Sequence, residues 1–235
     1  MAKWGGNPAI LRRRRIDSRR GLTYRVRENM WNRCSRMGRH KQFDPEAALD
    51  LAVDAFWERG FEATSIQDLC VRLELNPGSL YGTYGDKRAL FAAIFDRYLE
   101  RVSRYAIERI AKNPSGIDGI RDYFAFLVDA IIDGKRRWGC LVTNSLIELS
   151  TREPEILTKV GLHFARLETA FASALARSKA AGELPTGVGP ERAPYLVCFV
   201  QGLNVLARTK PTRTRLNAMM EVALECFAKS IKNAQ

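Results

Sequence analysis

The segment Leu73–Phe91, LELNPGSLYGTYGDKRALF, lies between two strongly helical stretches, yet it is rich in residues that disfavour a helix. Asn76 followed by Pro77 is typical of an N-cap and a first helical position, so a new short helix is predicted to begin there. Gly85 is predicted to end this helix, and Asp86 is predicted to cap the next one. We expect only two of its side chains to pack inward, namely Leu80 and Tyr84.

A second short helix is predicted just before this segment, in TSIQDLCVRL. Thr64 is the expected N-cap, and Gln67 three residues later completes a capping box. The apolar side chains of this helix share one face: Ile66, Leu69, Cys70 and Leu73. A tight turn at Glu74–Leu75 would join the two helices into a helix-turn-helix.

The small residues of the second helix have a physical explanation in this motif. The second helix of a helix-turn-helix enters the major groove of DNA, and Gly78 and Gly82 let the backbone come close to the duplex. Tyr81, Thr83 and Lys87 carry groups suited to phosphate oxygens. On composition alone, an ordinary turn between two helices of an all-α protein remains an alternative.

The remainder of the chain from Asp44 also has helical patterns, and no strand alternation is found. Asp44 and Pro45 are predicted to begin the first helix, and Gly60 to end it. Further helices are predicted at about 87–112, 117–133, 139–150, 154–181, 190–208 and 212–232. The long helix has an apolar face formed by Phe91, Ile94, Phe95, Tyr98, Leu99, Val102 and Tyr105.

Most of the net charge of +12 is carried by residues 1–36, which hold eleven Lys or Arg and two acids, a net charge of +9. We expect this segment to be a disordered basic extension. Two alternatives are upstream sequence included by the choice of start site, and a basic arm that contacts phosphates. The five cysteines include no CxxC pair and are expected to be free thiols, without a metal site.

Residues 44–91 resemble the DNA-binding domain of the TetR family of bacterial transcription regulators. The matching pattern is GSLYxTYxDKxALF, preceded by matches at Ala48, Ala52, Phe56, Gly60, Thr64, Ser65 and Ile66. The chain departs from the family pattern at Glu74, where Gly is usual, at Arg72, where a small residue is common, and at Tyr84, where Phe is usual. The resemblance implies an all-α fold with an N-terminal three-helix helix-turn-helix domain (37–91) and a helical ligand-binding and dimerisation domain (92–235).

The resemblance also implies which residues contact DNA. The implied set is Ser65, Gln67, Pro77, Gly78, Ser79, Tyr81, Gly82, Thr83 and Lys87. Within this set we assign phosphate contacts to Tyr81, Thr83 and Lys87. Base contacts or clearance are assigned to Gln67, Pro77, Ser79 and Gly82.

Family members pair this reader with a helical body that binds an effector and dimerises. The candidate effector residues are Tyr98, Tyr105, Phe124, Trp138, Cys140, Asn144, Ile147, Phe164 and Leu167, although ordinary core packing is the alternative for most of them. Cys140 follows two arginines near a helix start, which also raises an electrophile- or oxidant-sensing role. The predicted homodimer interface on the last two helices comprises Leu196, Phe199, Val200, Leu203, Leu216, Met219, Met220 and Phe227.

The predicted function is a cytoplasmic transcription regulator, a repressor released from a palindromic operator by a small-molecule effector. No cofactor and no membrane partner are expected. An all-α enzyme is the second hypothesis, but the chain offers two His, no phosphate loop and no ligand-spaced carboxylates. A third hypothesis is an interaction module whose basic tail binds RNA or membranes.

Overall fold

The computed structural model describes residues 44–149 and 152–227, and every regular element in these residues is helical. The helices are α1 (Pro45–Arg59), α2 (Ile66–Leu73), α3 (Pro77–Tyr84), α4 (Lys87–Tyr98), α5 (Arg104–Lys112), α6 (Gly116–Ile132), α7 (Leu141–Leu149), α8 (Pro154–Ala180), α9 (Ala193–Ala207) and α10 (Arg213–Glu225). A π-helical segment, Leu99–Ser103, joins α4 to α5, and a 3₁₀ turn, Pro190–Arg192, precedes α9. None of these described helices has the length and apolar character needed to cross a membrane. The all-α prediction is confirmed.

The predicted boundaries agree with these helices to within a few residues, apart from two segments that lie outside the description. The predicted basic extension at 1–36 is one of them, and the last part of the helix predicted at 212–232 is the other. α4 continues across the predicted domain boundary between residues 91 and 92, so the two predicted domains share a helix.

The caps that start the first, third and fourth helices are as predicted, at Asp44, Asn76 and Asp86. The cap of α2 was predicted one residue too early. Ser65, not Thr64, accepts from the N3 backbone N–H, and the box partner is Asp68 rather than Gln67. The reason is that Thr64 is buried and its hydroxyl donates to the carbonyl of Gly60 at 2.7 Å.

The turn between α2 and α3 is closed by Glu74 in the left-handed conformation, with φ 53° and ψ 37°. The N–H of the next residue, Leu75, donates to the carbonyl of Cys70 at 2.9 Å. A left-handed residue at this point reverses the chain within one residue, which is why glycine suits the position. The departure from the family pattern at Glu74 therefore preserves the turn at the cost of local strain.

We expect Glu74→Gly to raise the free energy of unfolding by about 0.5–1 kcal/mol, because glycine adopts the left-handed region without the steric cost of a Cβ. Chemical denaturation checks this value. Lys210→Gly is a parallel case, since Lys210 also has a positive φ of 52°. A loss of stability in Glu74→Gly would show that the glutamate side chain contributes more than the strain costs.

Two groups of buried apolar residues form the core. One lies beneath α1–α3 and along α4, and it also includes Cys140, Leu141 and Val160 from the body. The other lies between α6, α8, α9 and α10. The first group therefore continues from the helix-turn-helix into the body without a break.

The π-helical segment changes which face of the long helix is buried. Upstream of it, Phe91, Ile94, Phe95 and Tyr98 are buried as predicted. Downstream, Tyr105 is 47% exposed. A π turn inserts one extra residue and rotates everything after it about the helix axis. The prediction that Tyr105 continues the core face is therefore wrong.

Candidate functional site

The α2–α3 pair buries one side of each helix and exposes the other. Leu69, Leu73 and Leu80 are buried beneath the pair. On the opposite side, the exposed members of the predicted DNA-contact set are Gln67, Pro77, Gly78, Tyr81 and Gly82, and the partly exposed members are Ser65, Ser79, Thr83 and Lys87. The structure thus places all nine at accessible positions.

The two glycines of α3 differ in their surroundings. A Cβ added at Gly82 would meet nothing within 4 Å, whereas one at Gly78 would lie 3.3 Å from Oδ1 of the capping Asn76. Nothing in the described fold therefore excludes a side chain at position 82. A close approach by an external surface is a physical reason for glycine there.

Two of the predicted contact residues are also engaged inside the domain. The Ser65 hydroxyl donates to Oδ2 of Asp68 at 2.6 Å. The Lys87 ammonium lies 4.3 Å from the centre of the Phe61 ring and donates to the carbonyl of Glu62 at 3.5 Å. These contacts hold the Ser65 side chain at the start of α2 and the Lys87 side chain against the turn between α1 and α2.

Glu148 at the end of α7 is a functional candidate that the sequence predictions missed. Its carboxylate accepts from the backbone N–H of Phe61 at 2.9 Å and of Glu62 at 2.7 Å, in the turn between α1 and α2. Gly60 makes room for it, because a Cβ at Gly60 would lie 2.6 Å from Oε2 of Glu148. We call this contact the Glu148 clamp. No local pattern marks it, since its partners are more than 80 residues away.

α1 is tied to the body by further contacts. The indole N–H of Trp57 donates to the carbonyl of Gly139 at 3.1 Å, in the loop before α7. On the outer side, Asp50 accepts from Arg97 at 2.8 Å and from Arg101 at 2.6 Å. These contacts join α1 to α4, to the π-helical segment and to the loop before α7.

Part of the predicted effector set comes together in the structure. The members that belong to or pack against one buried cluster are Tyr98, Trp138, Cys140 and Phe164. The Tyr98 hydroxyl donates to the sulfur of Cys140 at 3.5 Å. These residues lie where α4, α7 and α8 meet.

The other members of the predicted effector set are dispersed. Phe124 and Leu167 are buried in the second core group. The Asn144 amide donates to the carbonyl of Trp138 at 2.9 Å, which supplies the partner that a polar group in an apolar helix needs. Ile147 is 73% exposed, and Tyr105 lies on the surface as described above. The effector-site prediction for Tyr105 and Ile147 is not supported by these positions.

Two tyrosines and one histidine buried in this region keep their neutral forms. Burial raises the pKa of Tyr98 well above its usual value, and it raises the pKa of Tyr123 to about 12. Burial, together with the positive charges of Arg136 and Arg166, lowers the pKa of His163 to about 4. Tyr123 and Arg136 are buried close to these residues, although neither belongs to the predicted effector set.

The protein is expected to lose stability as the pH falls from about 6.5 towards about 4. In this window unfolded His163 binds a proton that the folded protein excludes, so the free energy of unfolding falls by about 1.4 kcal/mol per pH unit, or about 3 kcal/mol in all. Chemical denaturation at several pH values in this range should show that the unfolding free energy of His163→Gln changes less steeply with pH than that of the wild type. Equal slopes in the two proteins would contradict a neutral, buried His163.

The predicted dimer-interface residues require a correction. Five of them are buried within the subunit and form part of its own core: Leu196, Val200, Leu203, Leu216 and Phe227. The main apolar face of each helix packs against the core of its own subunit, so this face is not available to a partner subunit. Phe199, Met219 and Met220 remain partly exposed. Other apolar side chains of α9 and α10 are exposed instead: Tyr195, Val205 and Val222.

Two family models match separate parts of the chain. Residues 48–94 match the family model for bacterial regulatory proteins of the tetR family. Residues 116–223 match that of the tetracyclin repressor-like C-terminal domain.

Two transcription regulators are similar to this chain over most of their length. YezE, an uncharacterized HTH-type transcriptional regulator of Bacillus subtilis (strain 168), is 40% identical over 80% of this chain and 98% of its own. The HTH-type transcriptional repressor ComR of Escherichia coli (strain K12) is 29% identical over 83% of this chain and 94% of its own.

A solved structure supports the same assignment. A cysteine mutant of the TetR family transcriptional regulator CifR, complexed with 26-base-pair double-strand operator DNA, is 28% identical. It superposes with a TM-score of 0.72 over 80% of this chain and 98% of its own. The chain belongs to the TetR family of bacterial regulatory proteins, as a helix-turn-helix transcription regulator and not an enzyme.

Proposed function

We propose that the protein is a homodimeric repressor that binds a palindromic operator and releases it when a small-molecule effector binds to the helical body. The observation that carries the proposal is the exposed, glycine-containing face of α3 above the buried Leu80. The operator complex of CifR and the repressor name of ComR support it. Because the proposed target is bacterial DNA, the site of action is the cytoplasm.

In this proposal α3 enters the major groove, where Ser79 and, from α2, Gln67 contact bases and Pro77 and Gly82 give apolar contact or clearance. Tyr81 and Thr83 of α3 and Lys87 of α4 bind phosphates. Dimerisation places two such helices on one side of the duplex. A two-fold dimer matches a palindrome whose half-sites are one helical turn apart, or a multiple of it.

The proposed dimer interface is the outer face of α9 and α10. Tyr195, Val205 and Val222 are between 45% and 71% exposed in the subunit. Large apolar side chains exposed on two successive helices are the basis for proposing an interface there. The partly exposed Phe199, Met219 and Met220 border this face, so part of the predicted interface is retained.

The effect of effector binding on operator affinity would be transmitted through α4 and α7. α4 begins beside α3 and reaches Tyr98, while α7 carries Cys140's neighbours at one end and the Glu148 clamp at the other. An effector that fits only one arrangement of these helices would favour that arrangement. A coupling of about 1–3 kcal/mol corresponds to a change in operator affinity of roughly five- to 150-fold.

The test is operator binding by Tyr81→Ala. Tyr81 is 46% exposed, so its removal is expected to leave the fold intact and to weaken binding about tenfold through a lost phosphate contact. Binding is measured on DNA fragments that the wild-type protein retains. Tyr105→Ala, at a residue 47% exposed on the body, is the matched control and should bind normally. Equal binding by both variants would remove Tyr81 from the interface.

A further inference from the structure

A charged guanidinium is enclosed in the body. Arg136 lies in the loop between α6 and α7 and is only 6% exposed. Its backbone N–H donates to the carbonyl of Ala130 at 2.8 Å, which fixes the loop against the end of α6. An arginine side chain stays protonated in proteins, so its charge must be compensated where it is buried.

Within residues 44–149 and 152–227, no carboxylate forms an ion pair with Arg136. Its side chain donates a hydrogen bond to Oδ1 of Asn204 at 3.3 Å, and Cys140 is close enough to interact with its charge. Tyr98 and Tyr123 are close enough to interact with its charge. The described residues therefore surround the guanidinium with amide, thiol and phenol groups and supply no carboxylate.

The surrounding groups come from different helices and are hydrogen-bond donors. Tyr98 comes from α4, Tyr123 from α6 and His163 from α8, and all three are buried. The phenols remain protonated because burial raises their pKa values, and His163 remains neutral at pH 7 because its pKa is lowered to about 4. A positive charge ringed by neutral donors is complementary to an anion.

We propose that Arg136 is the anchor for an anionic effector, a small molecule with one carboxylate and an apolar body. The carboxylate provides the charge that the protein lacks, and the apolar part packs against Trp138 and Phe164 of the same cluster. This inference rests on the proposed function, in which the body binds an effector. It goes further by naming the ligand's chemical class and the residue that selects it.

The same position explains how binding reaches the DNA reader. Arg136 and Trp138 lie in the loop that leads into α7. Gly139 in the same loop has a φ of 81° and lies close to the backbone carbonyl of Asn204. A ligand seated between Arg136 and α4 has to displace this loop and the start of α7. The far end of α7 carries the Glu148 clamp on the α1–α2 turn. Ligand entry therefore moves the helix that holds the reader.

The test measures thermal unfolding of the full-length protein without DNA. Hexanoate, benzoate and 3-phenylpropanoate are each compared with the corresponding uncharged amide. At least one carboxylate is expected to raise Tm in a saturable manner and to bind roughly tenfold or more tightly than its amide. Arg136→Met should lose this preference, and without ligand it should melt at or above the wild-type temperature, since it removes an uncompensated charge.

Two results would overturn the proposal: no carboxylate preferred over its amide, or a preference that persists in Arg136→Met. Should Arg136→Met not fold, Tyr98→Phe serves instead, because it removes one donor and keeps the ring, and an unchanged preference in it counts against the site. Cys198→Ala, which removes an exposed cysteine of α9, is the control and should keep the preference. Loss of the preference in this control would count against the site.

The outcome is separate from that of the proposed function. Retention of DNA fragments by the same protein samples reports operator binding. Carboxylate preference without DNA retention would reject the repressor and keep the ligand site. DNA retention without carboxylate preference would reject the ligand site alone.

Discussion

Replacing Gly82 with leucine is expected to weaken operator binding about a hundredfold while the fold keeps its stability. Gly82 lies on the exposed face of α3, and a Cβ there would meet nothing within 4 Å in the protein. Leucine is a better helix former than glycine by roughly 0.8 kcal/mol, so the unfolding free energy should stay level or rise. Against DNA, the added side chain holds the helix away from the groove. Losing two contacts of about 1–3 kcal/mol each weakens binding about a hundredfold.

The matched control for this prediction is Gly161→Leu. Gly161 lies within α8, is exposed, and also has nothing within 4 Å of an added Cβ. The substitution should give the same small gain in helix stability and leave operator affinity unchanged. Fluorescence anisotropy with a labelled operator measures affinity, and thermal melting measures stability. Normal operator binding by Gly82→Leu would mean that α3 does not approach DNA closely.

Glu148→Ala is expected to lower the free energy of unfolding by about 2–3 kcal/mol, because a carboxylate that accepts from two backbone N–H groups is removed. The two N–H groups belong to Phe61 and Glu62, and their hydrogen exchange should accelerate. Glu148→Gln keeps one acceptor oxygen and should lose about half as much stability. The ordering glutamate, glutamine, alanine is the signature of the clamp.

The control for the clamp is Glu168→Ala, which removes an exposed glutamate from α8. Its stability and its exchange at Phe61 and Glu62 should match the wild type. Hydrogen–deuterium exchange resolved at the α1–α2 turn is the decisive readout. Unaltered protection of this turn in Glu148→Ala would show that the body does not hold the reader through Glu148.

The helix-turn-helix could be predicted closely because its signals are local. Asn76, Pro77 and Gly85 each determine the conformation of their own neighbourhood, and the structure confirms all three. The cap of α2 was missed by one residue because burial of Thr64 is a tertiary fact. Thr64 and Ser65 are adjacent and chemically similar, so the sequence alone does not show which of them caps α2.

The body could be predicted less well because its patterns have more than one structural solution. The apolar stripe through Leu196 and Leu203 fits a subunit core as well as a dimer interface, and the core is where it lies. The phase change at Leu99–Ser103 turned Tyr105 outward without any break in helical pattern. The Glu148 clamp and the surroundings of Arg136 arise from contacts between distant segments, so no spacing rule identifies them.

The most direct test of the central claim, that α3 reads a duplex groove, is the sequencing of genomic DNA fragments retained by the purified protein. We expect a recurring site with two-fold symmetry that is enriched by the wild type and by Gly161→Leu, and not by Gly82→Leu. Retention of fragments with no shared sequence, or equal enrichment by all three proteins, would contradict it.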